Sequence, residues 1–221
     1  MTHRGFFVSG TDTGVGKTVV ACALVRALRE AGHDVGVMKP AETGVGPDGP
    51  LDALALREAA GVDDPLDEIC PLQLPLPAAP SVAAADAGVR IDPARIRKAF
   101  DGLAGRHEQM VVEGAGGLLV PILPELTMAD LARALELPVL LVARAALGTI
   151  NHTLLSLEAL ARRGLPLAGV VISFASGPLS DADAKNLVAL RDALGERLVG
   201  EIPPLAAGER PAPDAIDLAR L

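Results

Sequence analysis

The run "GTDTGVGKT", residues 10–18, places a lysine and a threonine directly after two closely spaced glycines. It follows the apolar stretch "GFFVS" and opens a segment, Lys17 to Ala31, whose apolar residues Val20, Leu24, Ala27 and Leu28 recur near the helical period. A strand, a glycine loop and a helix in that order make an anion site. Asp12, Thr13, Gly14, Val15 and Gly16 would form the cradle, with Gly14 and Gly16 letting the backbone approach a phosphate closely. Lys17 would reach the β- and γ-phosphates of a nucleotide, and the Thr18 hydroxyl would ligate Mg²⁺. One feature departs from the usual pattern. Such loops carry four residues between their glycines, whereas Gly10 and Gly16 enclose five.

Three further polar groups stand out, two of them at the ends of apolar runs. Glu113 closes "MVV" in "MVVEGAGGLLVP", where an acid holds Mg²⁺ directly or through water, and the glycines after it, Gly114 and Gly116 among them, admit a close ligand. Lys39 ends the second apolar run in "VMKPAETG" and is either a solvated strand end or a second cation for the site. Asp52, in "LDALAL", reads by itself as a helix cap. In "LGTINH", Leu147 and Gly148 form a turn, so that the N–H groups of Thr149, Ile150 and Asn151 point outward as a second anion cradle.

These groups need a frame that brings strand ends together. Apolar runs at 5–10, 34–40, 108–117, 137–143, 167–174 and 197–204 alternate with helical patterns at 17–31, 52–60, 93–103, 128–135, 151–163 and 181–194. The runs are nearly continuous rather than alternating, as in parallel strands covered on both faces. The expected architecture is α/β: a doubly wound, mostly parallel sheet with helices on both faces, the P-loop NTPase fold. Such sheets bind ligands at the carboxyl ends of their strands. Asp92 caps the third helix with Pro93 at its first position; the Pro/Ala-rich stretch at 71–88 reads as an ordered loop with one strand-like piece, and the proline-rich stretches at 71–80 and 203–213 read as loops. No linker or repeat divides the 221 residues, so one domain over 1–221 is expected.

Composition excludes several functions. There are 20 basic and 28 acidic residues, a net charge of −8 with no basic run, which argues against nucleic acid or an anionic membrane as partner. Tyr and Trp are absent and Phe occurs four times, so stacking platforms are lacking. Cys22 and Cys70 lack metal-ligand spacing and read as buried thiols. No apolar run reaches the ~20 residues of a membrane helix, and no leader precedes residue 6; a cytoplasmic protein is expected.

Taken together, the loop at 10–18, "KP" at 39–40, "LDALAL", "VEGAGG", "LGTINH", "LAGVV" and "GEIP" resemble the dethiobiotin synthetases over nearly the whole chain. The resemblance implies that 7,8-diaminononanoate takes up CO2 (or bicarbonate) as a carbamate, that ATP phosphorylates it, and that the second amine closes a cyclic urea. It implies Mg²⁺ on Thr18, Asp52 and Glu113. Lys39, Lys17 and Thr11 would be catalytic, with Thr11 and Asp12 turned toward the amine by the longer loop. It adds Ala115, Ile202 and Pro203 to the nucleotide site and Thr43 to the substrate site. Gly148, Thr149, Ile150 and Asn151 would receive the substrate carboxylate across a homodimer interface. Ser173, followed by Phe174, stands where many members have an asparagine that reads adenine, which implies relaxed or shifted nucleotide preference. Partitioning ATPases carry a second lysine five residues before the first; here that place is Asp12.

Overall fold

The computed structural model describes residues 5–175, 179–206 and 208–221. Along the chain run β1 (Gly5–Gly10), α1 (Lys17–Glu30), β2 (Val35–Met38), β3 (Glu42–Thr43), α2 (Leu51–Ala60), α3 (Leu66–Ile69), β4 (Gln73–Leu74) and α4 (Pro80–Asp86). These are followed by α5 (Pro93–Ala104), β5 (Gln109–Gly117), β6 (Pro121–Leu123), β7 (Leu126–Thr127), α6 (Met128–Ala134) and β8 (Val139–Arg144). The chain ends with α7 (Thr149–Arg162), β9 (Leu167–Ser173), α8 (Asp181–Leu194) and β10 (Leu198–Ile202).

Six strands form one sheet in the order β10-β9-β8-β1-β5-β2, and every neighbouring pair is parallel. The expected doubly wound sheet is therefore present. Its central strands are buried throughout: Phe7 and Val8 of β1, Met110 to Val112 of β5 and Val139 to Ala143 of β8 are all fully shielded. That double-sided burial is why these runs lack polar alternation. Because all six strands point the same way, the segments after β1, β2 and β5 emerge at one edge. Register aligns them: Met38 pairs with Val112, and Val8 pairs with Glu113. Lys39, Glu113 and the glycine loop are thus brought level by the sheet itself.

Some local expectations change. Residues 80–86, expected within a loop, form α4, with Pro80 at its first position and alanines behind it. α7 begins at Thr149, two residues earlier than expected, because Gly148 takes φ 88 and turns the chain into the helix. The Asp92 cap is present, its side chain accepting from the Ala94 N–H at 2.9 Å. Cys22 and Cys70 are buried free thiols, pushed up to about 12 by burial, so neither is a thiolate at neutral pH.

A polar knot ties the amino-terminal edge of the sheet. His107 Nδ1 lies 2.9 Å from Asp34 Oδ1 and its Nε2 lies 2.8 Å from Asp64 Oδ2. Two carboxylates on two ring nitrogens require both nitrogens to donate, so the ring is cationic. Burial alone would lower the imidazolium, but the hydrogen bonds to Asp34 and Asp64 outweigh it and hold it above the usual histidine value. A raised histidine contributes stability that is complete below its unfolded pKa, about 6.5, and is lost as pH rises through the folded value. The parent protein should lose thermal stability as pH climbs from about 6.5, and His107→Gln should show a flatter profile. Identical profiles in calorimetry would contradict the cationic bridge.

Candidate active site

The glycine loop bends at Gly14 (φ 70) and Gly16 (φ 88), conformations that only glycine adopts freely. A Cβ at Gly16 would lie 2.4 Å from Ser173 Oγ, so the loop rests directly on the end of β9. Val15 sends its side chain into the core and leaves only its backbone to a ligand. Lys17 Nζ donates to the Asp12 carbonyl at 3.0 Å, which holds the lysine along its own loop. Burial, with repulsion from Lys39, lowers the Lys17 ammonium, although Glu113, Asp52 and Asp12 oppose the shift.

Beside the loop sits a buried cluster. Lys39 Nζ donates to Glu113 Oε1 at 2.6 Å and to Asp52 Oδ2 at 2.7 Å. Thr18 Oγ1 donates to the same Glu113 oxygen at 3.0 Å. Lys39 is 3% exposed and Glu113 0%, so neither charge is screened by water. Burial would lower Lys39, yet the attraction of Glu113 and Asp52 overcomes it and raises the ammonium above the usual lysine value. Burial would raise Asp52; Lys39's charge and hydrogen bond reverse that and hold the carboxyl down. Burial pushes Glu113 up against the pull of Lys39. Its second oxygen, Oε2, is buried with no hydrogen-bond partner. Such an atom is costly unless something else coordinates it.

These groups line one cleft of 380 Å³, together with Thr13, Gly14, Gly16, Thr43, Ala115 and Gly116. A second cleft, 420 Å³, lies behind the loop's start and is walled by Thr11, Asp12 and Thr13 on one side and His152, Leu155 and Ser156 of α7 on the other. Thr13 borders both clefts. A third, 270 Å³, holds Ser173, Phe174, Ile202 and Pro203 between the ends of β9 and β10. A larger cavity of 920 Å³ lies among α5, α6 and the turn before β9, with Arg97, Phe100 and Leu137 on its walls, and contains none of the phosphate-loop groups.

A family profile described as an AAA domain matches residues 4–212. An ATP-dependent dethiobiotin synthetase of Anaeromyxobacter dehalogenans is 58% identical over 178 residues, 80% of this chain and 79% of its own. The one from Aromatoleum aromaticum is 45% identical over 219 residues, 97% of this chain and 96% of its own. The chain belongs to the dethiobiotin synthetase family. Among solved structures, the MinC:MinD cell division protein complex of Aquifex aeolicus matches with TM-score 0.55 at 15% identity, over 90% of this chain and 81% of that one. A ParA family ATPase of Chlorobium tepidum matches with TM-score 0.54 at 15% identity, over 91% of this chain and 85% of that one. At that identity they share the P-loop NTPase fold.

Three of the candidate residues are placed otherwise than the sequence suggests. Gly114 does not line the cleft: a Cβ there would meet the Phe7 ring at 2.8 Å, on the other face of β5 from Glu113, as strand alternation dictates. The Thr149 N–H does not point outward but donates to the Ala146 carbonyl at 3.2 Å. Ser173 borders the third cleft, but its hydroxyl is packed against the Gly16 backbone and the residue is 2% exposed. Glu42 was not singled out by sequence. Its carboxylate accepts from the Asp52 and Ala53 N–H groups, each at 3.0 Å.

The buried pair should dominate local stability. Lys39→Met removes the partner of a buried carboxylate and should cost about 3–5 kcal/mol in urea unfolding near neutral pH. The cost should shrink as pH falls, because unpaired Glu113 then takes up a proton. Unchanged stability at neutral pH would contradict the pairing.

Proposed function

We infer that the chain catalyses the ATP-dependent dethiobiotin synthetase reaction, converting 7,8-diaminononanoate and CO2 to a cyclic urea with release of ADP and phosphate. The observation that carries this reading is the coincidence of family membership with the Thr18–Glu113–Lys39–Asp52 chain of contacts beside a phosphate loop. One amine takes up CO2 as a carbamate. A carbamate oxygen then attacks the γ-phosphorus while the bond to ADP breaks, giving a carbamic-phosphoric anhydride. The second amine attacks the carbonyl carbon, loses a proton and expels phosphate.

Phosphoryl transfer needs positioning and charge neutralisation more than a covalent helper. Lys17 and Lys39 supply two cations beside the loop, and the two acids keep Lys39 protonated. Bound Mg²⁺ would neutralise charge on the phosphate oxygens. Thr18, Asp52 and Glu113 would hold it, and the orphaned Glu113 Oε2 fits that role. Among the described residues no group of three or more His, Cys, Asp or Glu could cage a cation alone. Phosphate oxygens and water would therefore complete the shell. Asp12, Thr13, Gly14, Val15 and Gly16 would cradle the phosphates, with Ala115 and Gly116 facing them. Thr11 and Asp12 border the second cleft, which suits the amine-bearing substrate, with Thr43 on the phosphate side.

The third cleft would take the base. Among the described residues its walls are Val19, Ser173, Phe174, Ala175, Ile202, Pro203, Pro204 and Leu205, so one hydroxyl stands among apolar side chains and no amide or carboxylate is there to read a base edge. We expect ATP, CTP and GTP to be used with comparable kcat/KM; a hundredfold preference for one would contradict this. Leu147, Leu154 and Leu155 are exposed at the start of α7, near the turn formed by Gly148. Such a strip favours a homodimer in which Gly148, Ile150 and Asn151 meet the partner's substrate carboxylate. No helix of the described residues is long and apolar enough to cross a membrane, and a cytoplasmic site of action is part of this proposal.

Two measurements test the reading. Purified protein with diaminononanoate, Mg²⁺, nucleotide and labelled bicarbonate should yield acid-stable label, since acid releases CO2 from a free carbamate but not from a cyclic urea. Absence of stable label from folded protein would overturn the assignment. Sedimentation should show a dimer that dissociates on Leu154→Asp, a residue outside both clefts, with loss of turnover; a fully active monomer would contradict the shared site.

A further inference from the structure

We propose that Glu42 is a positioning residue for this reaction, setting the first turn of α2 so that Asp52 meets Lys39 and the site's cation. The proposal rests on the reading of Asp52 as a cation ligand given above. α2 has Pro50 at its cap position, with no side-chain cap hydrogen bond of its own. The first N–H groups of a helix need acceptors from elsewhere. Glu42 supplies both from another element: Oε1 accepts from Asp52 and Oε2 from Ala53, each at 3.0 Å. A carboxylate spanning two consecutive amides fixes rotation as well as position of that turn. Glu42 is itself held, being 7% exposed and paired in register with Gln73 of β4. Its N–H donates to the Leu72 carbonyl at 2.8 Å.

The geometry makes a two-point clamp. The stretch from Lys39 to Glu42 grips α2 twice, through the Asp52 side chain by Lys39 Nζ at 2.7 Å and through the Asp52 N–H by Glu42. Asp52 is therefore held at both its backbone and its carboxylate. Glu42 also lines the 380 Å³ cleft, where it joins two other acids. A third acid there adds repulsion, and an N-terminal cap elsewhere on the surface would avoid it. Its placement makes sense where the angle of α2, rather than its mere existence, is what matters. Displacements near 1 Å in such sites cost roughly a hundredfold in rate.

A double-mutant cycle tests this, using Glu42→Ala, Asp52→Asn and the double variant in the full-length protein. The first readout is kcat. The second is the gain in ADP affinity that Mg²⁺ confers, measured by calorimetry without turnover. Glu42→Ala should lower kcat by roughly 10–100-fold and remove most of the Mg²⁺-dependent gain, with Glu42→Gln, which keeps one acceptor oxygen, between it and the parent. The double variant should be no worse than Asp52→Asn, because Glu42 acts through that residue. Should Glu42→Ala not fold, Glu42→Gln carries the same cycle. Retention of the Mg²⁺ gain within about twofold, or effects that multiply independently, would overturn the proposal. Failure of the parent to form acid-stable urea, with the calorimetric coupling intact, would instead overturn only the assigned reaction.

Discussion

Lys39 is a buried ammonium gripped by two carboxylates, 2.6 Å from Glu113 and 2.7 Å from Asp52. Taking such charges out of water costs several kcal/mol per ion, and only good geometry offsets it. That geometry is a product of the whole fold. Lys39 follows β2, Glu113 belongs to β5, and the pairing of Met38 with Val112 sets them side by side. Asp52 comes from a helix on a separate segment, oriented from its first turn. Thr18 joins by donating to Glu113 from the first turn of α1. A shift of β2 against β5 would leave Lys39 or Glu113 as an unpaired buried charge, so the pair ties the sheet register to the cleft.

The same arrangement explains why the site is suited to an anionic, metal-bearing ligand. Lys17 is buried beside another cation, Lys39, and burial and that repulsion lower its ammonium, so a phosphate arriving beside it would offset both. Glu113 keeps one oxygen without a partner. Cation and anion sites are therefore both incompletely satisfied within one cleft of 380 Å³. A nucleotide with its metal would satisfy both at once. The acidic surface of the chain, net −8, is no obstacle, since the favourable charges are local and shielded from solvent.

What can be read from the sequence here is mostly what depends on neighbouring residues. The glycine loop, the apolar strands and the Asp92 cap each depend on a few consecutive positions. The helix at 80–86 is hidden by the prolines around it, although alanine is the strongest helix former and Pro80 suits a first turn. The orientation of Gly114 follows from strand alternation next to Glu113, but the glycine run reads more readily as a ligand loop. Glu42 is beyond such reading because its partners lie ten and eleven residues downstream on another element. His107 is bonded to carboxylates 73 and 43 residues away. The metal-ligand role expected of Asp52 comes only from family resemblance, since its spacing alone makes it a cap; the turn at 147–151 reads as an anion cradle by itself, and only the substrate carboxylate is added by resemblance.

The most direct test of this account is the protonation of Lys39 itself. In nitrogen-15-labelled protein, the Nζ signal can be assigned by its loss in Lys39→Arg and followed with pH. A lysine clamped by Glu113 and Asp52 should remain an ammonium beyond about 10.4, the ordinary lysine value, with protons that exchange slowly enough to observe. A titration midpoint below that value would contradict the account, because it would mean that burial rather than the two carboxylates governs the charge at the centre of the site.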